Sequence, residues 1–120
     1  MDTKDIENLV SKLLQKTKQK EMQWGPTNRK TEYIAKLDSG SVTSDTWTHN
    51  GKDHSEVVVY NAKGIPVVTL RQTRGEGIFA TLASLTEAAR ENYYRADETI
   101  AKLLAELDKA GPVGSEPPKP

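Results

Sequence analysis

The feature that most restricts the possible folds of this chain is a set of three turn signals at similar intervals in the middle of the sequence. Asp38-Ser39-Gly40, Asn50-Gly51 and Asn61-Ala62-Lys63-Gly64 separate short β-prone runs between Lys30 and Gln72. Asparagine, aspartate and glycine tolerate the positive backbone angles that tight hairpin turns require. The pattern therefore predicts a four-stranded antiparallel β-meander.

The turn positions also predict which strand residues face each other. A two-residue first turn at 39–40 places Leu37 opposite Val42, and a two-residue second turn places Val42 opposite Val59. A type I third turn with a glycine bulge places Val59 opposite Val67. These registers agree with one another, and we expect the shared face to carry the main core. Its members are Tyr33, Ala35, Leu37, Val42, Val57, Val59 and Val67.

The opposite face of the predicted sheet, here called the second face, mixes large apolar groups with charged ones. Its large apolar members are Ile34, Trp47, Val58, Tyr60, Val68 and Leu70. Its charged or titratable members are Lys36, Asp45, His54 and Glu56. This many apolar groups on a second face predict that a helix or a partner protein covers it. Because Trp47 and Tyr60 are residue types that anchor interfaces, the six apolar residues are candidate contact residues.

Helical periodicity precedes and follows the strands. One apolar stripe begins after Asp5 and ends before Gly25-Pro26, and a second extends from Ile78 to Tyr93. A third follows a break before Asp97, an aspartate that suits a new helix N-terminus. The third stripe comprises Ile100, Leu103, Leu104 and Leu107. The predicted fold class is α+β, with an N-terminal helix, the four-stranded antiparallel β-meander and two C-terminal helices.

Length and composition predict one domain followed by a tail. A chain of 120 residues corresponds to about one ordinary domain, which we place at residues 1–110. Residues 111–120 contain four of the six prolines and two of the eight glycines. Such a segment buries too little apolar surface to offset its ordering entropy, so we expect this tail to be disordered.

Charge and cysteine content narrow the classes of partner. The 17 basic residues cancel the 17 acidic ones, which leaves no net field toward nucleic acid or a membrane surface. The chain has no cysteine, which excludes thiolate chemistry and fits a reducing compartment. The first residues lack a signal-peptide pattern, and no apolar run is long enough to span a bilayer. We expect a cytoplasmic protein with no membrane partner.

The residue pattern gives little support for a catalytic site or a metal site. The two histidines, His49 and His54, flank the second turn, whereas a metal site needs three or four converging ligands. The sequence has no Gly-x-Ser-x-Gly nucleophile elbow, and an acidic pair such as Asp97-Glu98 suits a helix end. We therefore expect neither an enzyme nor a bound metal or cofactor.

Two classes of function remain open. The favoured one is a non-catalytic protein–protein interaction module or homodimeric assembly subunit that uses the apolar residues of the second face. The alternative is a small regulator that binds nucleic acid or an anionic ligand, because lysine and arginine neutralise phosphates. Its candidate residues are Lys12, Lys16, Lys20, Arg29 and Lys30 near the N-terminal helix, and Arg71 and Arg74 near the loop Gly75-Glu76-Gly77.

The order of these motifs resembles that of a group of small uncharacterised bacterial proteins. The resemblance extends from Ile6 to Leu107 and rests on turn glycines and apolar positions. These are the strand Tyr33-Ile34-Ala35-Lys36-Leu37, Gly40-x-Val42, Asn61-x-x-Gly64, Phe79, Leu82, Ala89-Arg90 and Asp97 before a leucine-rich helix. The resemblance implies an α+β fold without an activity or a site to transfer.

Overall fold

The chain forms an antiparallel sheet with helices before and after it, in a computed structural model that describes residues 3–109, 111, 112 and 114. In chain order the elements are α1 (Thr3–Lys18), β1 (Gly25–Pro26), β2 (Glu32–Leu37), β3 (Gly40–His49), β4 (Lys52–Asn61), β5 (Pro66–Thr73), α2 (Phe79–Tyr94) and α3 (Ala96–Leu107). The strands lie in sequence order, and all neighbours are antiparallel. The α+β class, the N-terminal helix and the two C-terminal helices are confirmed. The predicted disordered tail lies mostly outside the described residues.

The sheet has one strand more than predicted. The short strand β1 pairs Gly25 with Ile34 and Pro26 with Tyr33 on β2. Proline lacks a backbone N–H and is therefore tolerated at a sheet edge. The helix α1 already ends at Lys18, where Lys20 takes a left-handed backbone angle (φ 61°), and the Gly-Pro pair forms the edge of the sheet instead.

The second hairpin has the predicted turn and register. Asn50 and Gly51 adopt φ values of 52° and 75°, as a two-residue turn of the primed type requires. Val42 pairs with Val59. The central pair of strands, β3 and β4, is therefore confirmed.

The first hairpin turns one residue earlier than predicted. The turn uses residues 38–39, and Leu37 pairs with Gly40 rather than with Val42. Gly40 therefore lies inside β3, where only glycine fits because a Cβ would overlap the carbonyl oxygen of Tyr60 on β4. The partners shift by two residues, so every side chain of β2 keeps its predicted face.

A bulge in β5 overturns part of the third predicted register. Tyr60 pairs with Pro66, as the predicted turn requires, but Val59 pairs with Val68 instead of Val67. Val67 is the extra residue at this irregularity and is 54% exposed. Its predicted place in the core is therefore wrong.

The same bulge exchanges the faces of the rest of β5. Val68 and Leu70, predicted for the second face, share the core face with their β4 partners, and Leu70 packs against the core. Arg71 is instead turned to the second face, opposite Glu56. Without the bulge, Arg71 would lie on the core face, where an unpaired guanidinium is costly. The bulge therefore buries aliphatic side chains in place of a charged one.

The core lies between the sheet and the first two helices. Its buried members are Val10, Leu13, Trp24, Tyr33, Ala35, Val42, Val57, Leu82, Leu85 and Ala89. The helix α2 crosses β2, β3 and β4, and α1 packs against α2. Ser44 Oγ and Thr46 Oγ1 lie 2.7 and 2.8 Å from Thr86 Oγ1, so the polar groups under α2 are hydrogen-bonded. Leu37 is 55% exposed because it ends β2 beside the turn, which corrects its predicted core position.

The helix α3 stands apart from this core. Arg95, between α2 and α3, has left-handed backbone angles (φ 51°, ψ 45°) that redirect the chain. None of the core residues named above comes from α3. The described side chains of α3, from Asp97 to Leu107, are all exposed. The predicted break before Asp97 is therefore confirmed, and it separates a projecting helix from the body.

Among the described residues, no helix combines the length and the apolar character that crossing a membrane requires.

Candidate functional site

The second face is not covered by the helix that packs on the sheet. Ile34, Trp47, Val58 and Tyr60 lie on this face, as predicted. Val58 is buried, and the other three are half-buried. The helix α2 covers the opposite face, where the core residues lie. The shielding of the second face must therefore come from side chains of the sheet and its loops.

Buried carboxylates and arginines fill the centre of the second face. Asp45 and Glu56 are cross-strand partners, and their side chains are 1% and 10% exposed. Arg29 Nη2 lies 2.7 Å from Asp45 Oδ2 as an ion pair without an aligned hydrogen bond. Thr31 Oγ1 donates to Asp45 Oδ1 at 2.6 Å, and Arg71 Nε donates to Glu56 Oε2 at 2.7 Å. Each buried carboxylate therefore has a guanidinium beside it, as burial of a charge requires.

Trp47 is already engaged by neighbouring polar side chains. The guanidinium carbons of Arg29 and Arg71 lie 5.5 and 5.2 Å from the centroid of its ring. His54, its cross-strand partner, stacks on it at 5.5 Å with an interplanar angle of 26°. These contacts combine cation–π attraction with stacking. Trp47 is therefore less available as an interface anchor than its residue type suggests.

The basic residues of the alternative prediction do not converge on one surface. Lys12 and Lys16 lie on the exposed side of α1, whereas Arg29 and Arg71 lie beyond the sheet on the second face. Five of the seven form ion pairs: Lys16 with Glu21, Lys20 with Asp97, Arg29 with Asp45, Arg71 with Glu56 and Arg74 with Asp53. Nearby carboxylates thus neutralise most of the charge that would attract an anion.

The histidines occupy different environments. His49 is exposed at the end of β3, whereas His54 Nδ1 lies 3.3 Å from Thr73 Oγ1 under Trp47. Within the part of the chain that the structure describes, no three side chains of histidine, aspartate or glutamate form a group that could hold a metal ion.

Ion pairs hold the N-terminal end of α3 beside a cavity of about 460 Å³ that the ends of α1 and α2 also line. Lys20 forms an ion pair with Asp97, and Arg95 Nη1 lies 3.7 Å from Glu98 Oε2. The hydrogen bond from Lys20, together with its charge, lowers the pKa of Asp97. The same hydrogen bond and the charge of Asp97 raise the pKa of Lys20. Both side chains of the Lys20–Asp97 pair are mostly exposed, so this pair is a modest restraint on the start of α3.

The helix α3, whose Ile100 also lines this cavity, carries a largely exposed apolar surface, here called the α3 stripe. It consists of Ile100, Leu103, Leu104 and Leu107, which are 57%, 51%, 57% and 63% exposed. A helix on a globular domain normally buries such a stripe. The periodicity revealed this stripe but did not indicate what lies against it.

Comparison with protein-family models, with curated proteins and with solved structures gives no match to this chain.

Proposed function

We propose that this chain is a non-catalytic protein–protein interaction module that forms a homodimer through the α3 stripe. The supporting observation is a set of four large aliphatic side chains, each more than half exposed, on one helix. Contiguous apolar surface of this kind is characteristic of interaction sites. The net charge of zero lets two copies approach without long-range repulsion. A cytoplasmic location belongs to the proposal and agrees with the lack of cysteine.

The α3 stripe replaces the second face as the favoured contact surface for two reasons. Val68 and Leu70, which would have enlarged the apolar area of that face, face the core instead. Trp47, its strongest candidate anchor, already contacts Arg29 and Arg71. The second face can therefore remain solvated, whereas the stripe cannot bury its apolar area within its own described chain.

A regulator that binds nucleic acid or an anionic ligand receives less support. Phosphate binding depends on cations that can exchange counterions for phosphates. Here the arginines of the second face are held by Asp45 and Glu56. Lys12 and Lys30, the two candidate cations outside the ion pairs given above, are both exposed side chains. They supply little charge for a phosphate-binding surface.

The substitution Leu104→Glu tests the proposed homodimer. A carboxylate in the apolar contact would lose hydration without gaining a partner, so we expect association to weaken by at least about tenfold. Sedimentation velocity over a range of concentrations measures the change, and far-UV circular dichroism checks that the helices remain. The control Ala105→Glu adds the same charge to the same helix away from the stripe and should leave the dimer intact. A single-chain mass for the unsubstituted protein at every concentration would refute the proposal, as would equal weakening in both variants.

A further inference from the structure

We infer that two copies of this chain pair their α3 helices in antiparallel orientation, about a two-fold axis between Leu103 and Leu104. The inference rests on the proposed function and adds the identity and orientation of what covers the α3 stripe. A second copy in this orientation fits three features of the chain. These are the spacing of the α3 stripe, the charges at the two ends of α3 and the position of α3 on the body.

The spacing of the stripe is symmetric. From Ile100 the next large aliphatic positions follow after three, one and three residues, so the pattern is unchanged when the helix direction is reversed. A two-fold axis between Leu103 and Leu104 places Ile100 of one copy opposite Leu107 of the other. An interface whose two-fold axis is perpendicular to the helices requires such a symmetric pattern, because residue i contacts j and j contacts i. The stripe is therefore a complete partner for its own reversed copy.

The charges at the two helix ends favour the antiparallel orientation. The C-terminal end of α3 carries Glu106 and Asp108 against Lys109, and it is also the negative end of the helix dipole. At the N-terminal end, Lys20 and Arg95 pair with the acidic residues of the first turn. Parallel pairing would bring two negative ends together. Antiparallel pairing places each negative end beside the positive dipole end of the other copy.

The position of α3 on the body favours the same orientation. The helix joins the body through Arg95 at its N-terminal end, and its 12 residues extend about 18 Å. Parallel pairing would place both bodies at the same end of a two-helix contact. Antiparallel pairing places them at opposite ends, where neither obstructs the other.

The available area predicts a reversible dimer. The four side chains of the stripe are each a little more than half exposed; even if pairing buried all of that area, roughly 900 Å² over the two chains, the contact would fall below the roughly 1,000 Å² of a stable specific interface and would belong with the weak, transient ones. Interfaces of this size are weak, so we expect monomer and dimer to coexist in equilibrium. The dimer should therefore dissociate on dilution.

Engineered disulfides test the orientation, because the chain contains no cysteine of its own. An equimolar mixture of the Ile100→Cys and Leu107→Cys chains should form a mixed disulfide under mild oxidation. In the antiparallel pair the two copies of residue 100 are about 10 Å apart along the helices, beyond the reach of a disulfide. We therefore expect at least about tenfold more cross-linked product in the mixture than with Ile100→Cys alone. Lys102→Cys, on the opposite side of α3, is the control and should not cross-link.

The outcomes separate this inference from the proposed function. Cross-linking of Ile100→Cys with itself would indicate parallel helices, which overturns the inference while the homodimer stands. A dimer that forms none of these disulfides would place the contact elsewhere and would also overturn the inference. A monomer at every concentration in sedimentation would overturn the proposed function together with the inference.

Discussion

A few side chains determine how the second face of the sheet is closed without a helix. Asp45 is almost completely buried, with Thr31 bound to one carboxylate oxygen and Arg29 beside the other. A carboxylate in such a place persists when a cation and hydrogen-bond donors replace its hydration. Thr31 supplies the hydrogen bond and Arg29 supplies the cation, and the guanidinium of Arg29 also lies over Trp47. The outermost side chains of the second face are therefore charged, and this face can stay in contact with water.

At this scale we predict that Arg29→Gln lowers the free energy of unfolding by about 1–2 kcal/mol, because Asp45 loses its cation. The effect should stay below that of a fully buried pair, since Arg29 is half exposed and screened by solvent. Urea unfolding measures the change. Adding Asp45→Asn to Arg29→Gln should recover part of the loss, because the uncompensated charge is removed.

The matched control is Lys30→Gln at the neighbouring exposed lysine, which should change stability by less than about 0.5 kcal/mol. Equal losses for Lys30→Gln and Arg29→Gln would contradict an ionic role for Arg29.

At the scale of helices and strands, features that depend on local sequence could be predicted, whereas features that depend on long-range packing could not. The turn at Asn50-Gly51 was predictable because its chemistry depends on the backbone of two residues. The bulge at Val67 was not, because it depends on whether Leu70 or Arg71 faces the core, and that choice is made by packing across the sheet. The two-residue strand β1 was too short to produce a periodic pattern. Periodicity likewise revealed the α3 stripe but carried no information on what lies against it.

The junction between α1 and α3 gives a prediction that depends on pH. The pKa of Asp97 is lowered below its ordinary 3.8, so its stabilisation is complete above that value and is lost as the pH falls through the lowered pKa. The pKa of Lys20 is raised above 10.5, so its contribution is complete below that value and is lost as the pH rises through the raised pKa. Near neutral pH the ion pair therefore stabilises the start of α3 in full.

We accordingly expect Asp97→Asn to reduce the hydrogen-exchange protection of amides in the first two turns of α3 several-fold at neutral pH. Amide exchange followed by nuclear magnetic resonance measures this, with amides of β4 as an internal reference. Asp108→Asn, at the other end of α3, is the control and should leave those turns protected. Identical protection in the two variants would show that Lys20 and Asp97 do not hold the helix.

At the scale of the whole molecule, the chain consists of a self-contained body and a projecting helix. The buried core is built from α1, α2, the sheet and the segment that joins α1 to the sheet. Trp24 in that segment donates from Nε1 to Thr17 Oγ1 on α1, and its backbone N–H donates to Asn92 Oδ1 on α2, both at 2.9 Å. These bonds connect the joining segment to α1 and α2 within the body, and α3 takes no part in them. The helix α3 is therefore available for a partner.

Ending the chain at Arg95 should therefore leave the body folded and remove its ability to self-associate. We expect the free energy of unfolding of this shortened chain to lie within about 1 kcal/mol of that of the monomeric variant Leu104→Glu, because both retain the same core. Comparison with this variant rather than with the dimer removes the stability that association adds by mass action. Urea unfolding and sedimentation measure the two properties. Loss of cooperative unfolding on removal of α3 would mean that the helix supports the core, and the division into body and projecting helix would then be wrong.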